Sequence, residues 1–134
     1  MLKCVKIMKE KPSIQSLEQA LNRLGEALAD DSEIVIDGTI QRFEFCIELF
    51  WKVLQKLLRQ KRIIAKSPRQ VMQEAYALGW LKDETLWLDM ADCRNQTYHT
   101  YDEDLALAIY EKIKSFYPEL RSTFTFLKEH VIKQ

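Results

Sequence analysis

Asp37-Gly-Thr-Ile-Gln-Arg-Phe-Glu-Phe-Cys-Ile-Glu-Leu-Phe-Trp-Lys52 continues with helical spacing to about Arg62, and this stretch decides the fold. At 100° per residue its apolar positions Ile40, Phe43, Cys46, Ile47, Phe50, Trp51, Val53, Leu54, Leu57 and Leu58 cover an arc of about 160°. A helix lying on a surface needs a narrower stripe, so this one is expected to be central and to touch several neighbours. Asp37, Gly38 and Thr39 offer its N-terminal caps.

Working outward, Ile14, Leu17, Leu21, Leu24 and Leu28 share one side of a preceding helix, with Ser13 or Ser16 as N-cap and an end near Asp30. Downstream, Ser67-Pro68-Arg69-Gln70 combines an N-cap, a proline at the first helical position and a glutamine at the third, opening a short helix that Gly79 closes. Asp83 caps a fourth helix with Leu86, Met90 and Cys93 facing inward, ending between Arg94 and Tyr98. Asp102 caps the fifth. There Leu105, Ile109, Ile113, Phe116, Leu120, Phe124, Leu127 and Val131 keep one phase across Pro118, which implies one kinked helix and not two. The expected fold is all-α: an up-and-down four-helix bundle with one short extra helix and a kinked C-terminal helix, in a single domain spanning 1–134.

Composition agrees. The chain has 134 residues with 47% hydrophobic and 30% charged, enough apolar surface to build one core. Three glycines and three prolines are too few to punctuate a many-stranded β protein. Twenty basic and twenty acidic side chains cancel, which excludes a uniformly basic nucleic-acid coat and an acidic tail. Cys4, Cys46 and Cys93 form neither a disulfide framework nor a zinc spacing. Met1 to Lys11 is interrupted by four lysines, so it makes no signal peptide, and Phe43 to Trp51 is too short and too charged to span a membrane. A cytoplasmic location, with no membrane partner, is expected.

Chemistry concentrates in Arg94-Asn95-Gln96-Thr97-Tyr98-His99-Thr100-Tyr101, where the fourth helix meets the fifth. Arg94 falls in the arc of Trp87 and Met90, an apolar face on which a guanidinium needs a partner. Asn95 and His99 share a face, whereas His99 lies about 140° from Arg94 on a continuous helix, so convergence requires a helix end or a second chain. A histidine that titrates near neutrality and an arginine fork suit metal-free phosphodiester cleavage with the ribose 2′-OH as nucleophile. One imidazole cannot act as base and acid at once; a two-fold dimer supplies the second. Packing and capping by Arg94, His99, Tyr98 and Tyr101 account for the same residues without chemistry. His130 reads as a solvated surface residue.

Charge is uneven along the chain. Lys52, Lys56, Arg59, Lys61, Arg62, Lys66 and Arg69 carry a local plus seven between residues 49 and 73, fit either to track a phosphate backbone or to form a solvated helix end. Residues 83 to 104 carry seven acids against Arg94 alone, an acidic rim that repels phosphate and suits a basic protein partner. Phe45 and Leu49 fall on the polar side of the central helix as an exposed pair, the candidate protein interface. Glu44 and Glu48 lack the Glu-x-x-His companion of a di-iron bundle, so they read as salt-bridge partners, with Arg94 a candidate, and no metal or cofactor is expected.

Arg94-Asn95-x-x-x-His99-x-Tyr101 resembles the Arg-x4-His-x-Tyr signature of HEPN domains paired with minimal nucleotidyltransferases. The Asp37 to Lys52 stretch, Ser67-Pro-Arg, Ala75 to Trp80 and Tyr117-Pro118 are similar to the nucleotidyltransferase substrate-binding subfamily, over about residues 12 to 130. The resemblance implies a helical homodimer that forms a two-component module with a minimal nucleotidyltransferase protein. It implies either a metal-independent ribonuclease toxin or a non-catalytic subunit that binds the substrate of its partner. In the first case Arg94 and His99 sit at a dimer cleft, Asn95 orients the site, RNA is the substrate, and the partner silences the toxin by adenylylating Tyr101. In the second case the same residues bind a nucleotide substrate without cleaving it.

Overall fold

The computed structural model describes residues 13–30, 35–96 and 103–132. Among them five helices and no strands occur: α1 (Ile14–Leu28), α2 (Val35–Gln60), α3 (Pro68–Ala77), α4 (Glu84–Gln96) and α5 (Glu103–His130). Four are the long helices of the bundle, and α3 is the short connector between α2 and α4. The wide apolar arc of α2 has its expected consequence, since α2 packs against all four other helices. Phe43, Phe50, Ile47, Leu54 and Leu58 at its centre are almost completely buried, with the Phe50 ring 4.8 Å from Trp87 of α4 and the Phe43 ring 5.9 Å from Phe116 of α5.

Local chemistry sets the helix ends. Ser13, not Ser16, caps α1, its hydroxyl accepting from the Ser16 N–H at 3.0 Å. Ser67 caps α3 in the same way at 3.2 Å, while the Gln70 side chain accepts the Lys66 N–H at 2.9 Å, one residue before the usual capping-box partner. Gly79, at φ 82°, ends α3 in a Schellman turn in which Trp80 N–H donates to Ala75 O and Gly79 N–H to Tyr76 O. The end of α2 repeats that turn with an arginine at the left-handed position: Arg62 has φ 64°, Ile63 N–H reaches Leu58 O at 2.9 Å and Arg62 N–H reaches Arg59 O at 2.9 Å. Asp83 caps α4, accepting the Leu86 N–H at 3.2 Å.

Two expectations need correction, and a third holds. Asp37, Gly38 and Thr39 do not cap α2; they lie inside it, because the helix already runs from Val35 and Thr39 and Ile40 point into the core. An aspartate in the first turn is still favourable there, facing the positive end of the helix dipole. Phe45 and Leu49 are not an exposed pair: Leu49 is 5% exposed and Phe45 is half-buried, because α1 covers that side and Phe45 lines a shallow depression with Ala20, Arg23 and Glu26. The helix through Pro118 is continuous from Glu103 to His130, one element as expected.

Candidate functional site

Arg94 sits in the last turn of α4, one turn after the fully buried Met90 and beside the fully buried Cys93. That register carries its side chain toward the bundle, where an isolated guanidinium is costly. Glu48 of α2 meets it: Arg94 Nη2 lies 3.5 Å from Glu48 Oε2, with the two side chains 21% and 18% exposed. The pairing expected from the apolar setting of Arg94 is therefore the one the fold makes.

Glu48 serves more than Arg94. Its Oε1 lies 3.3 Å from Lys52 Nζ one turn along α2, and its Oε2 accepts the Trp51 indole N–H at 3.2 Å. A single carboxylate thus fixes a lysine, an indole edge and a guanidinium. These groups open on a cleft of about 330 Å³ walled by Glu48 and Trp51 of α2, Ser67, Pro68 and Arg69 at the start of α3, and Asp92, Arg94 and Asn95 of α4. Arg69 Nη2 and Asp92 Oδ1 face each other at 3.4 Å across it, both more than half exposed.

The structure brings Arg94 and Asn95 to one cleft. His99 and Tyr101, and the capping residue Asp102, lie outside the described residues. Phe45 and Leu49 belong to a different side of α2. His130 is 61% exposed beside Glu129, as its solvated reading required.

Trp51 and Arg69 as cleft walls were not singled out by sequence reasoning. The i,i+3 and i,i+4 spacing of Trp51 and Lys52 from Glu48 matches their contacts with that carboxylate but says nothing of the cleft. The charge runs are also redistributed by folding. Lys52 and Arg69 turn toward the cleft acids, whereas Arg59, Lys61, Arg62 and Lys66 remain exposed at the far end of α2 and beyond it. The acidic rim is offset from outside its own segment, Asp92 by Arg69 and Asp89 by Lys112 at 3.7 Å. Among the described residues no group of histidine, cysteine, aspartate and glutamate could hold a metal ion, and no helix is long and apolar enough to cross a membrane.

Cys46 and Cys93 offer no reactive thiol at this site. Burial pushes the Cys46 thiol up to about 12, against a small opposing pull from Arg121. Burial likewise pushes Cys93 up to about 11, with Lys112 lowering and Asp89 raising it by lesser amounts. A thiol held protonated in this way is a packing group.

Known proteins share this architecture. A crystal structure of a protein from Thermus thermophilus superposes with a TM-score of 0.78 at 38% identity, covering 84% of this chain and 98% of that one. HI0074 from Haemophilus influenzae, whose structure gave the fold of a substrate binding domain of a nucleotidyltransferase, superposes with a TM-score of 0.77 at 28% identity over 87% of this chain and 99% of its own. The chain is also 36% identical over 89 residues to the Probable ribonuclease HepT of Haemophilus influenzae strain Rd, a stretch covering 63% of this chain and 61% of the length of that relative. The profile of the family described as nucleotidyltransferase substrate binding protein like matches residues 6–129. That span takes in every helix of the bundle apart from the last residue of α5, together with both sides of the Glu48–Arg94 cleft. With the HEPN-like bundle, it makes the chain a member of the nucleotidyltransferase substrate binding protein like family.

Proposed function

We propose that this chain is the HEPN subunit of a two-component module with a small nucleotidyltransferase, and that it cleaves RNA without a metal ion. The observation that carries this reading is Arg94, held by Glu48 at the mouth of an open cleft with Asn95 beside it and His99 five residues on. The likeness to a probable ribonuclease supports the same chemistry.

In the proposed reaction, His99 of one subunit removes the proton of a ribose 2′-OH, and the oxygen attacks the adjacent phosphorus. The bond to the 5′ oxygen breaks, and His99 of the second subunit protonates that leaving oxygen, giving a 2′,3′-cyclic phosphate and a 5′-hydroxyl end. Arg94 stabilises the charge that builds on the non-bridging oxygens. Tyr101, two residues after His99 in the sequence, is the residue to whose hydroxyl oxygen the partner transfers AMP from ATP, with pyrophosphate leaving, and the added negative charge turns the toxin off.

The purified protein should cut RNA in EDTA, and His99→Ala should lower the rate by about 10²- to 10⁴-fold with its helical circular dichroism intact. Equal cutting by that variant removes His99 from the mechanism. Incubation with the neighbouring nucleotidyltransferase and ATP should add one AMP to wild type and none to Tyr101→Phe. A second reading, a subunit that binds its partner's substrate without cleaving it, is favoured by the carboxylate already seated on Arg94; it predicts nucleotide binding and no cutting.

A further inference from the structure

We propose that Trp51 is a base-stacking platform, so that the cleft takes one nucleotide of single-stranded RNA with its base on the Trp51 indole and its phosphate on Arg94. The choice of RNA as ligand rests on the ribonuclease reading; the stacking site rests on the geometry of the cleft.

Of the three tryptophans, Trp80 and Trp87 are 7% and 0% exposed and belong to the core, whereas Trp51 is half-buried and forms a wall of the cleft. Its indole is also oriented in advance. The N–H that donates to Glu48 Oε2 at 3.2 Å lies in the ring plane, so the bond pins the edge, while the side chain packs in part against the core and in part walls the cleft. Lys52 Nζ stands over the ring at 6.0 Å from its centroid, at the outer limit of cation–π contact, where an entering base can displace it.

The second argument is spacing. Arg94 Nη2 meets the same oxygen of Glu48 that holds the indole, so the aromatic edge and the guanidinium are never more than two polar contacts apart. A base and its neighbouring phosphate in one nucleotide are separated by a similar reach. Charge adds to this. Among the described residues, Lys52, Arg69 and Arg94 face Glu48 and Asp92, three cations against two carboxylates, and an entering phosphate can displace Asp92 from the more exposed Arg69. At about 330 Å³ the space is at the small end of ligand sites, suited to one nucleotide and not to a duplex.

Binding is measured by anisotropy of a fluorescein-labelled oligouridylate in the His99→Ala background, where the RNA stays intact. Replacing Trp51 by leucine should weaken binding between about 5-fold and about 150-fold, the range for losing one stacked base. Trp51→Phe, which keeps an aromatic face and most of the packing, should stay within a few-fold of the parent, with circular dichroism checking both variants. The parent should also bind an abasic oligomer of the same length more weakly, and Trp51→Leu should not distinguish the two. Equal affinity of Trp51→Leu and parent, or no discrimination against the abasic oligomer by the parent, overturns the stacking site and leaves the cleavage reading standing. Tryptophan quenching by AMP that disappears in Trp51→Phe, in a wild-type protein that cuts no RNA, upholds the stacking site and ends the ribonuclease reading.

Discussion

Arg94 Nη2 and Glu48 Oε2 stand 3.5 Å apart, and through them the end of α4 is tied to the middle of α2. The pair is neither a loose surface bridge nor a dry interior one, since each side chain keeps about a fifth of its surface in water. That intermediate setting allows the guanidinium to be positioned by a carboxylate and still reached by a ligand.

Removing Glu48 leaves a half-buried guanidinium, a lysine and an indole N–H without their shared acceptor. Glu48→Ala is therefore expected to cost about 1–3 kcal/mol in urea unfolding. In a double-mutant cycle with Arg94→Ala the combined loss should fall short of the two single losses added together, because either substitution breaks the same contact. Strict additivity means that the pair contributes no coupling.

Gly25 tests the packing of α1 on α5. The Tyr117 hydroxyl donates to Leu21 O at 3.3 Å and passes so near Gly25 that a Cβ there would overlap it. In an open helix Gly→Ala gains about 0.5–1 kcal/mol, but the overlap should reverse the sign and cost about 1–3 kcal/mol. Tyr117→Phe should recover only part of that loss, because the ring carbon that carried the hydroxyl still lies 3.0 Å from the added Cβ.

Arg62 bears the strain of a left-handed residue at the end of α2, a position that glycine adopts without it. Arg62→Gly should raise stability by about 0.5–1 kcal/mol, visible as a higher melting temperature. A fall would mean that the exposed arginine side chain contributes more than its backbone costs.

How far the sequence could be read depends on what each feature answers to. The helices of the bundle follow from apolar phase and caps within a few residues of one another, so Ser13, Ser67, Asp83 and Gly79 were legible. So was the Glu48 partner of Arg94, because an arginine among Trp87 and Met90 demands an acid and the adjacent helix carries two. Leu49 was not, since a helical wheel shows where a residue points and not which neighbour covers it; α1 closes over a side that looked polar. The wall formed by Trp51 and Arg69 escaped for the same reason: it depends on α3 and α2 converging, and no spacing along either segment records that.

The two buried thiols give the protein an alkaline limit. An unfolded cysteine titrates near 9.0, whereas Cys93 and Cys46 in the folded chain are pushed to about 11 and about 12 by burial. Between those values the folded state keeps protons that the unfolded state releases, so their contribution to stability is complete below pH 9 and is lost as the pH rises through the folded values. Melting temperatures followed upward from about pH 8 should fall less steeply in Cys46→Ala and Cys93→Ala than in wild type. Cys46 and Cys93 of the native protein should also resist iodoacetamide at about pH 8.

Because α2 touches every other described helix, no part of the bundle can detach without uncovering it, and its own middle turns are the last to lose their shield. Deuterium uptake at the amides around Phe50 and Leu54 should then need global opening, while the ends of α1 and α5 exchange through local fraying. Glu48 and Trp51 lie on those slowest turns, so breathing at the termini leaves the anchor of the cleft in place.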